Sequence, residues 1–311
     1  MRRVTLLLAA TLVLVACSGS DDPGPQPALP TPTSARASTT TSTTLPVETI
    51  LAAGDIASCT SGGDEATANL LDARPHALVV TLGDNVTDSG TAAELANCYA
   101  PSWGRHKGRT RPALGHAEYG VAWATGYFGA FGSAACEAPL GWYSYDVGTW
   151  HVIVMNSNCE VVGCAAGGSQ ETWLRQDMGA NPAACTLAVL HHPRWSSGTT
   201  RGPTPAVAPL YQALHDAGVD VLLSAHERNY ERFAPLDPAG GVDPARGIRQ
   251  FVAGTGGRGH DPFGPVQPGS QVRNADTFGL LVLTLRPTGY DWQFVPEAGK
   301  TFTDAGSGAC H

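Results

Sequence analysis

Five short blocks of the sequence end in residues that can hold a cation or move a proton. They are Gly54-Asp55, Gly83-Asp84-Asn85, Gly115-His116-Ala117-Glu118, His191-His192-Pro193 and Ala225-His226-Glu227-Arg228. Each follows an apolar, strand-like run, as Gly54-Asp55 follows Ile50-Leu51-Ala52-Ala53. Carboxylate and imidazole donors delivered from successive strand ends are how an α/β sheet holds a metal at its rim. Asp55 and Asp84 could instead cap helices after tight turns. Two Gly-Asp pairs at strand ends, followed by three blocks carrying imidazole, favour ligation over capping.

The elements that must position these blocks alternate between two periodicities. Strand character is expected over Ile50–Gly54, Ala77–Leu82, Thr186–Leu190 and Val219–Ser224, and a hairpin over Tyr143–Val147 and His151–Asn156. Helices are expected over Ala66–Ala73, Ala92–Tyr99, Gln170–Met178 and Pro205–Ala217. The end of the chain turns to strands alone, over Ile248–Ala253, Leu280–Leu285 and Tyr290–Val295. Alternating strands and helices imply a parallel sheet, and the late β-rich portion implies a second sheet packed on the first. The expected class is α/β, a four-layer α/β/β/α sandwich with its site on loops at strand ends.

The N-terminus sets the compartment. Met1-Arg2-Arg3 precedes an apolar stretch from Val4 to Ala16, too short to span a bilayer and of the form of a secretory signal. It ends in Leu14-Val15-Ala16-Cys17, which resembles the bacterial lipobox, so residues 1–17 are read as a lipoprotein signal with Cys17 lipidated. Residues 18–47 are mostly Ser, Thr, Pro and small residues that cannot offset the entropy of ordering, and are expected to form a disordered linker. At random-coil scaling roughly 30 residues reach roughly 30 Å. The domain is expected over residues 48–298, with residues 299–311 as a C-terminal tail. The chain would then be extracytoplasmic and held to the cell membrane by lipid alone, since no later segment is long and apolar enough to cross it. A formal charge of −8 gives no electrostatic footprint for nucleic acid. With Cys17 given to lipid, seven of the eight cysteines are left to pair. Cys159 and Cys164 are the nearest closure, and Cys310, near the end of the chain, is expected to be the odd one.

The ordered series of blocks resembles the calcineurin-like metallophosphoesterases, in the branch similar to purple acid phosphatases. Tyr143-Ser144-Tyr145-Asp146, Asn156-Ser157, Asn229-Tyr230-Glu231-Arg232-Phe233 and Gly254-Thr255-Gly256-Gly257 add to the match, which runs from about Ile50 to Val295. The resemblance implies a two-metal site that hydrolyses phosphoesters, with Asp84 as the bridging carboxylate and Asp55 on the first metal. The other first-metal positions are Thr87 or Ala57, and Arg228, none of which is the family's ligand. An arginine cannot give up its proton to bind a metal, so the first position is expected to hold no ion.

The second-metal set carries over as Asp84, His116 in place of an asparagine, His191 and His226, a workable set for one Zn, Fe or Mn ion. The family's catalytic histidine is here Ala117, with Glu118 retained after it. Two readings of His116 stay open, as a ligand or as the catalytic imidazole shifted by one position. Arg228 likewise reads either as a salt-bridge partner for Asp55 or as a grip on phosphate. Arg228 and Glu118 are the candidate catalytic residues, and His192 is read as a neighbour of the ligands. The expected function is a metal-dependent phosphoric ester hydrolase acting on a small phosphoester or phosphorylated ligand. The alternative is a catalytically dead relative that binds a ligand or a protein at the envelope.

Overall fold

The computed structural model describes residues 47–311 except Glu137. The signal sequence, Cys17 and the linker up to Pro46 lie outside the described residues. Among the described residues, thirteen strands form two sheets. They are β1 (Glu48–Ala53), β2 (Leu78–Thr81), β3 (Thr110–Pro112), β4 (Tyr143–Val147), β5 (Trp150–Val154), β6 (Cys185–Val189) and β7 (Val221–Ser224). There follow β8 (Tyr230–Leu236), β9 (Ile248–Ala253), β10 (Ser270–Asn274), β11 (Gly279–Arg286), β12 (Gly289–Pro296) and β13 (Ala305–Ala309).

The first sheet runs β13-β12-β11-β1-β2-β3 and the second β10-β8-β9-β7-β6-β5-β4. Within the first, β1, β2 and β3 are parallel; within the second, β5, β6, β7 and β9 are. Period-2 alternation splits each strand between two cores. Ile50, Ala52, Val80 and Leu82 of the first sheet face Val152, Val154, Leu187, Val189 and Leu223 of the second, in the layer between the sheets. Leu51, Ala53 and Val79 point the other way, under Ala68 and Leu71 of the helix Gly63–Asp72 and under Trp103 and Tyr127. On the far side, Ile153, Ala188 and Leu222 pack beneath Leu174 of the helix Ser169–Ala180 and Leu210 and Leu214 of the helix Ala208–Asp216. This is the four-layer α/β/β/α arrangement expected from the sequence.

Three expectations are corrected. The run Ala92–Tyr99 is not one α-helix: it is a capped turn, Ala92–Glu94, followed by a wider π-helical segment, Leu95–Tyr99. Residues 299–311 are not a tail, because β13 completes the first sheet antiparallel to β12. Its sequence, Ala-Gly-Ser-Gly-Ala, has no side-chain pattern to read, and its pairing with β12 is made by the backbone. A Cβ at Gly306 would lie 2.3 Å from the Trp292 ring, and one at Gly308 2.5 Å from that of Tyr290, so the aromatic cover requires glycine there. Cys310 is accordingly no odd thiol: it bonds Cys185, beside Cys159–Cys164 as expected and Cys59–Cys98.

A buried imidazole fastens the free edge of the second sheet to its helix layer. His151 on β5 has Nδ1 2.8 Å from Asp146 Oδ1 on β4 and Nε2 2.8 Å from Asp177 Oδ2 on the helix Ser169–Ala180. Burial disfavours its charge, but the bonds to the two carboxylates outweigh that and raise its pKa. Asp146 is mostly exposed, so Asp177 carries most of the benefit. Because the folded-state pKa is raised, the gain is complete below the unfolded value of about 6.5 and is lost as pH climbs through the folded value. His151→Ala should cost about 1–3 kcal/mol at pH 5.5. Urea denaturation of both proteins from pH 5.5 to 9 should show that difference shrinking as pH rises.

Candidate metal centre

Every site block sits where a parallel strand ends. Asp55 follows β1, Asp84 follows β2, His116 follows β3, His191 follows β6 and His226 follows β7. Three of these residues hold left-handed backbone, with φ of 53° at Asp55, 51° at Asp84 and 71° at His226. That region is disfavoured for residues with a Cβ, and its occurrence at three site residues marks where the fold sustains strain to aim a side chain. The glycines beside them make the approach possible. A Cβ at Gly115 would come within 2.1 Å of Asp84 Oδ1, and one at Gly83 within 2.6 Å of His191 Nδ1. Ala225 immediately precedes His226. Its methyl lies over Gly54, where an added Cβ would be 2.5 Å away, so Gly54 supplies the clearance.

Glu118 binds these loops together. Its Oε2 accepts from the backbone N–H of Asp84 at 3.1 Å and of Gly115 at 2.7 Å. Its Oε1 accepts from the Asn85 backbone N–H at 2.6 Å and side-chain amide at 3.2 Å. Burial and then the neighbouring Asp84 charge push its pKa up to about 7, against the pull of those amides. With both oxygens engaged by the loop, Glu118 sets the position of Asp84 rather than presenting itself to a ligand.

The donors converge. Asp84 is fully buried; its Oδ1 accepts from Ala117 N–H at 2.9 Å and lies 3.3 Å from His191 Nε2, while Oδ2 lies 3.1 Å from His116 Nδ1. His191 Nε2 is 3.2 Å from both His116 Nδ1 and His226 Nδ1. His191 Nδ1 is 2.8 Å from the Leu82 carbonyl oxygen, which makes Nδ1 the protonated nitrogen and turns the Nε2 lone pair into the cluster. Donors held by one ion at about 2.0–2.1 Å in tetrahedral array would be about 3.3 Å apart. The spacings of 3.1 to 3.3 Å that link His191 to His116, to His226 and to Asp84 Oδ1, and His116 to Asp84 Oδ2, are of that size. Lone pairs this close require a proton or a cation between them.

The charges follow from burial and neighbours. Burial raises Asp84, but His191 and His116 outweigh it and hold the carboxylate well below its ordinary range. Asp55 goes the other way, up to about 8, through burial and then the Asp84 charge. Burial also lowers His191, to about 4, and lowers His226. His116 is raised: burial opposes its charge, and the Asp84 contact prevails.

The first-metal position is built differently. Asp55 Oδ2 accepts from the backbone N–H of His226 at 2.8 Å, and its Oδ1 faces Arg228 Nε at 3.6 Å. Arg228 is fixed through its backbone N–H, which donates to Asp261 Oδ2 at 3.1 Å; Arg201 Nη1 lies 3.1 Å from the same oxygen. Thr87 turns its hydroxyl onto the Ala57 carbonyl at 3.2 Å, tying the two substituted positions to each other. Arg228 thus takes the salt-bridge position of the two anticipated for it, with Nε lacking a hydrogen-bond partner.

The structure also brings in residues to which the sequence reading assigned no ligand role. His192 joins His116, His191 and His226 in a group whose ligand atoms all lie within 4.8 Å of one another. Its Nδ1 is 2.8 Å from Ser157 Oγ. A cleft of about 360 Å³ opens beside the cluster, lined by His116, His192, Tyr119, Ser157, Glu160 and Thr204. The signal for His192 was present, since it adjoins His191, but a pattern that names one ligand per loop discards the second. Arg201 and Asp261 lie in loops with no motif.

No protein-family model matches the chain. Among curated proteins it is 25% identical over 199 residues to acid phosphatase A of Cryphonectria parasitica, across 56% of this chain and 40% of that protein. Among solved structures it resembles the purple acid phosphatase PPD1 of yellow lupin, with a TM-score of 0.68 and 16% identity over 85% of this chain and 54% of the other. GAP50, the anchor in the inner membrane complex of Plasmodium, gives 0.65 and 18% over 85% and 89%. PhoD gives 0.57 and 14% over 85% and 69%. The chain spans well under two thirds of the first two relatives, and these likenesses establish the metallophosphoesterase fold.

Truncating Glu118 tests the loop clamp. Glu118→Ala leaves the buried amides of Asp84, Asn85 and Gly115 without their acceptor and should cost about 3–5 kcal/mol. Glu118→Gln, which keeps an acceptor oxygen, should cost less, as read by denaturant unfolding.

Proposed function

We propose that the chain is a phosphoester hydrolase working with one divalent ion, held by Asp84, His116, His191 and His226. The observation that supports this reading is the linked set of contacts at 3.1 to 3.3 Å, from His226 to His191, from His191 to His116, and from His191 and His116 to the two oxygens of Asp84, with the Leu82 carbonyl fixing the His191 tautomer. Zinc, iron or manganese would suit a set of imidazoles with one carboxylate. Such an ion, when bound, supplies Lewis acidity to a phosphoryl oxygen and acidifies water towards neutrality. Arg228 stands beside Asp55 at the first-metal position as a fixed cation, its buried Nε turned to the Asp55 carboxyl. His116, the most open of the ligands, stands at the cleft where an ester group would enter. The substrate is a small phosphoester or a phosphorylated ligand. The Leu14-Val15-Ala16-Cys17 sequence supports lipidation at Cys17 and display on the outer face of the cell membrane. Disulfides in the domain accord with an oxidising compartment.

A second reading rests on Ala57, Thr87, Ala117 and Arg228, which replace the ligands and the catalytic imidazole of the family. An ion pair in the first-metal position suits a binding protein of the envelope, and the Plasmodium protein of similar fold is an anchor in the inner membrane complex.

Metal analysis and turnover separate the two. The purified domain should carry about one ion per chain and hydrolyse an aryl phosphate above the buffer rate, and His226→Ala should lose the ion. Protein that takes up no divalent ion and turns over nothing would sink the enzyme reading. Replacing Thr87→Tyr, Ala117→His and Arg228→His together should raise occupancy from about one ion to about two and increase the rate. Unchanged stoichiometry would show that the first position is not a dormant metal site.

A further inference from the structure

The four imidazoles at this site exceed what the single-ion reading uses. His192 was assigned no role there, yet its ring is placed as closely as the rings of the proposed ligands. Ring centroids are 4.8 Å apart for His116 and His226, 5.0 Å for His191 and His226, and 5.5 Å for His116 and His191. Those from His192 are 4.2 Å to His226, 4.9 Å to His191 and 6.1 Å to His116. A metal–nitrogen bond of about 2.0–2.1 Å puts each ring centre about 3.2 Å from an ion. Rings bound at right angles are then about 4.5 Å apart and opposed rings about 6.4 Å. All six separations are compatible with one centre, with His116 and His192 on nearly opposite sides.

The surroundings of His192 resemble those of a ligand. The Ser157 hydroxyl already accepts from the His192 backbone N–H at 3.0 Å, and it can accept again from Nδ1–H at 2.8 Å. Nε2 is then left with its lone pair, as the Leu82 carbonyl leaves that of His191. Ser157 and Leu82 come from different sheets, so each imidazole is oriented by its own acceptor.

We propose that His192 is a further ligand of the ion held by Asp84, His116, His191 and His226, making a four-imidazole site that selects zinc or copper over manganese. The inference rests on the single-ion reading above. Nitrogen donors suit zinc, copper and nickel, whereas manganese and magnesium prefer oxygen, so exchanging the family's asparagine for His116 and adding His192 both move the site in the same direction. Ser157 acts on the ion only through His192 and is a positioning residue.

The test uses chelator-stripped protein loaded with Cu²⁺ or titrated with Zn²⁺ and Mn²⁺ against a competing chelator. The pulsed electron paramagnetic resonance spectrum of the wild-type Cu²⁺ form should report four coupled imidazoles, and that of His192→Ala three. Zinc affinity should fall at least tenfold in His192→Ala and about tenfold in Ser157→Ala, with manganese affinity changed less. An unchanged nitrogen count and zinc affinity in a folded His192→Ala or His192→Gln protein would overturn the proposal. Should neither variant fold, three imidazoles rather than four in the wild-type spectrum would overturn it. Wild-type protein that binds no ion at all would instead refute the single-ion reading on which the proposal stands.

Discussion

Two carboxylates buried side by side set the terms for everything around them. Asp55 and Asp84 are both fully buried, and the charge on one raises the pKa of the other. Isolated, such a pair would not stay ionised together. The chain answers asymmetrically. Asp84 is met by His116, His191 and the Ala117 amide, while Asp55 is met by the His226 amide and the Arg228 guanidinium. A dinuclear centre solves the same problem with two cations. Here one of those solutions is covalent and permanent, because Arg228 belongs to the chain, and only the Asp84 side is left for an exchangeable ion.

Holding that arrangement requires backbone that most residues avoid. The left-handed positions at Asp55, Asp84 and His226 are supported by parallel strands on either side and by Glu118, which gathers the amides of Asp84, Asn85 and Gly115. Buried carboxylates thus serve two different purposes side by side. Glu118 spends its hydrogen-bonding capacity on the loop, and Asp84 directs part of its own to the imidazoles.

Much of this was legible in the sequence, for identifiable reasons. Strands β1, β2, β6 and β7 are short apolar runs buried on both faces, and each is followed by a polar residue that chemistry would need at a strand end. The order of those blocks was enough to give the layers. Strands β8, β10 and β13 escaped notice because their pairing lies in the backbone: β8 is interrupted by a bulge before Pro235, and β13 has almost no side chains. At the site, the ligand-bearing positions were readable because each loop has a motif. His192, Ser157, Arg201 and Asp261 were not, since what gives them a role is proximity across the sandwich, which spacing along the chain does not encode.

Asp55, Asp84 and His116 extend from the first sheet, whereas His191, His192 and His226 extend from the second. The short contacts between them therefore span the seam of the sandwich. Its register is governed by side chains far from any chemistry, among them Leu187, Leu223 and Phe251 against Ile50, Leu281 and Leu283. A slide of one sheet over the other by a fraction of an ångström would separate the donors as a group without disturbing a single loop. The apolar seam is in this sense the caliper of the site, and an ion gripped from both sides would act as a rivet through the two sheets.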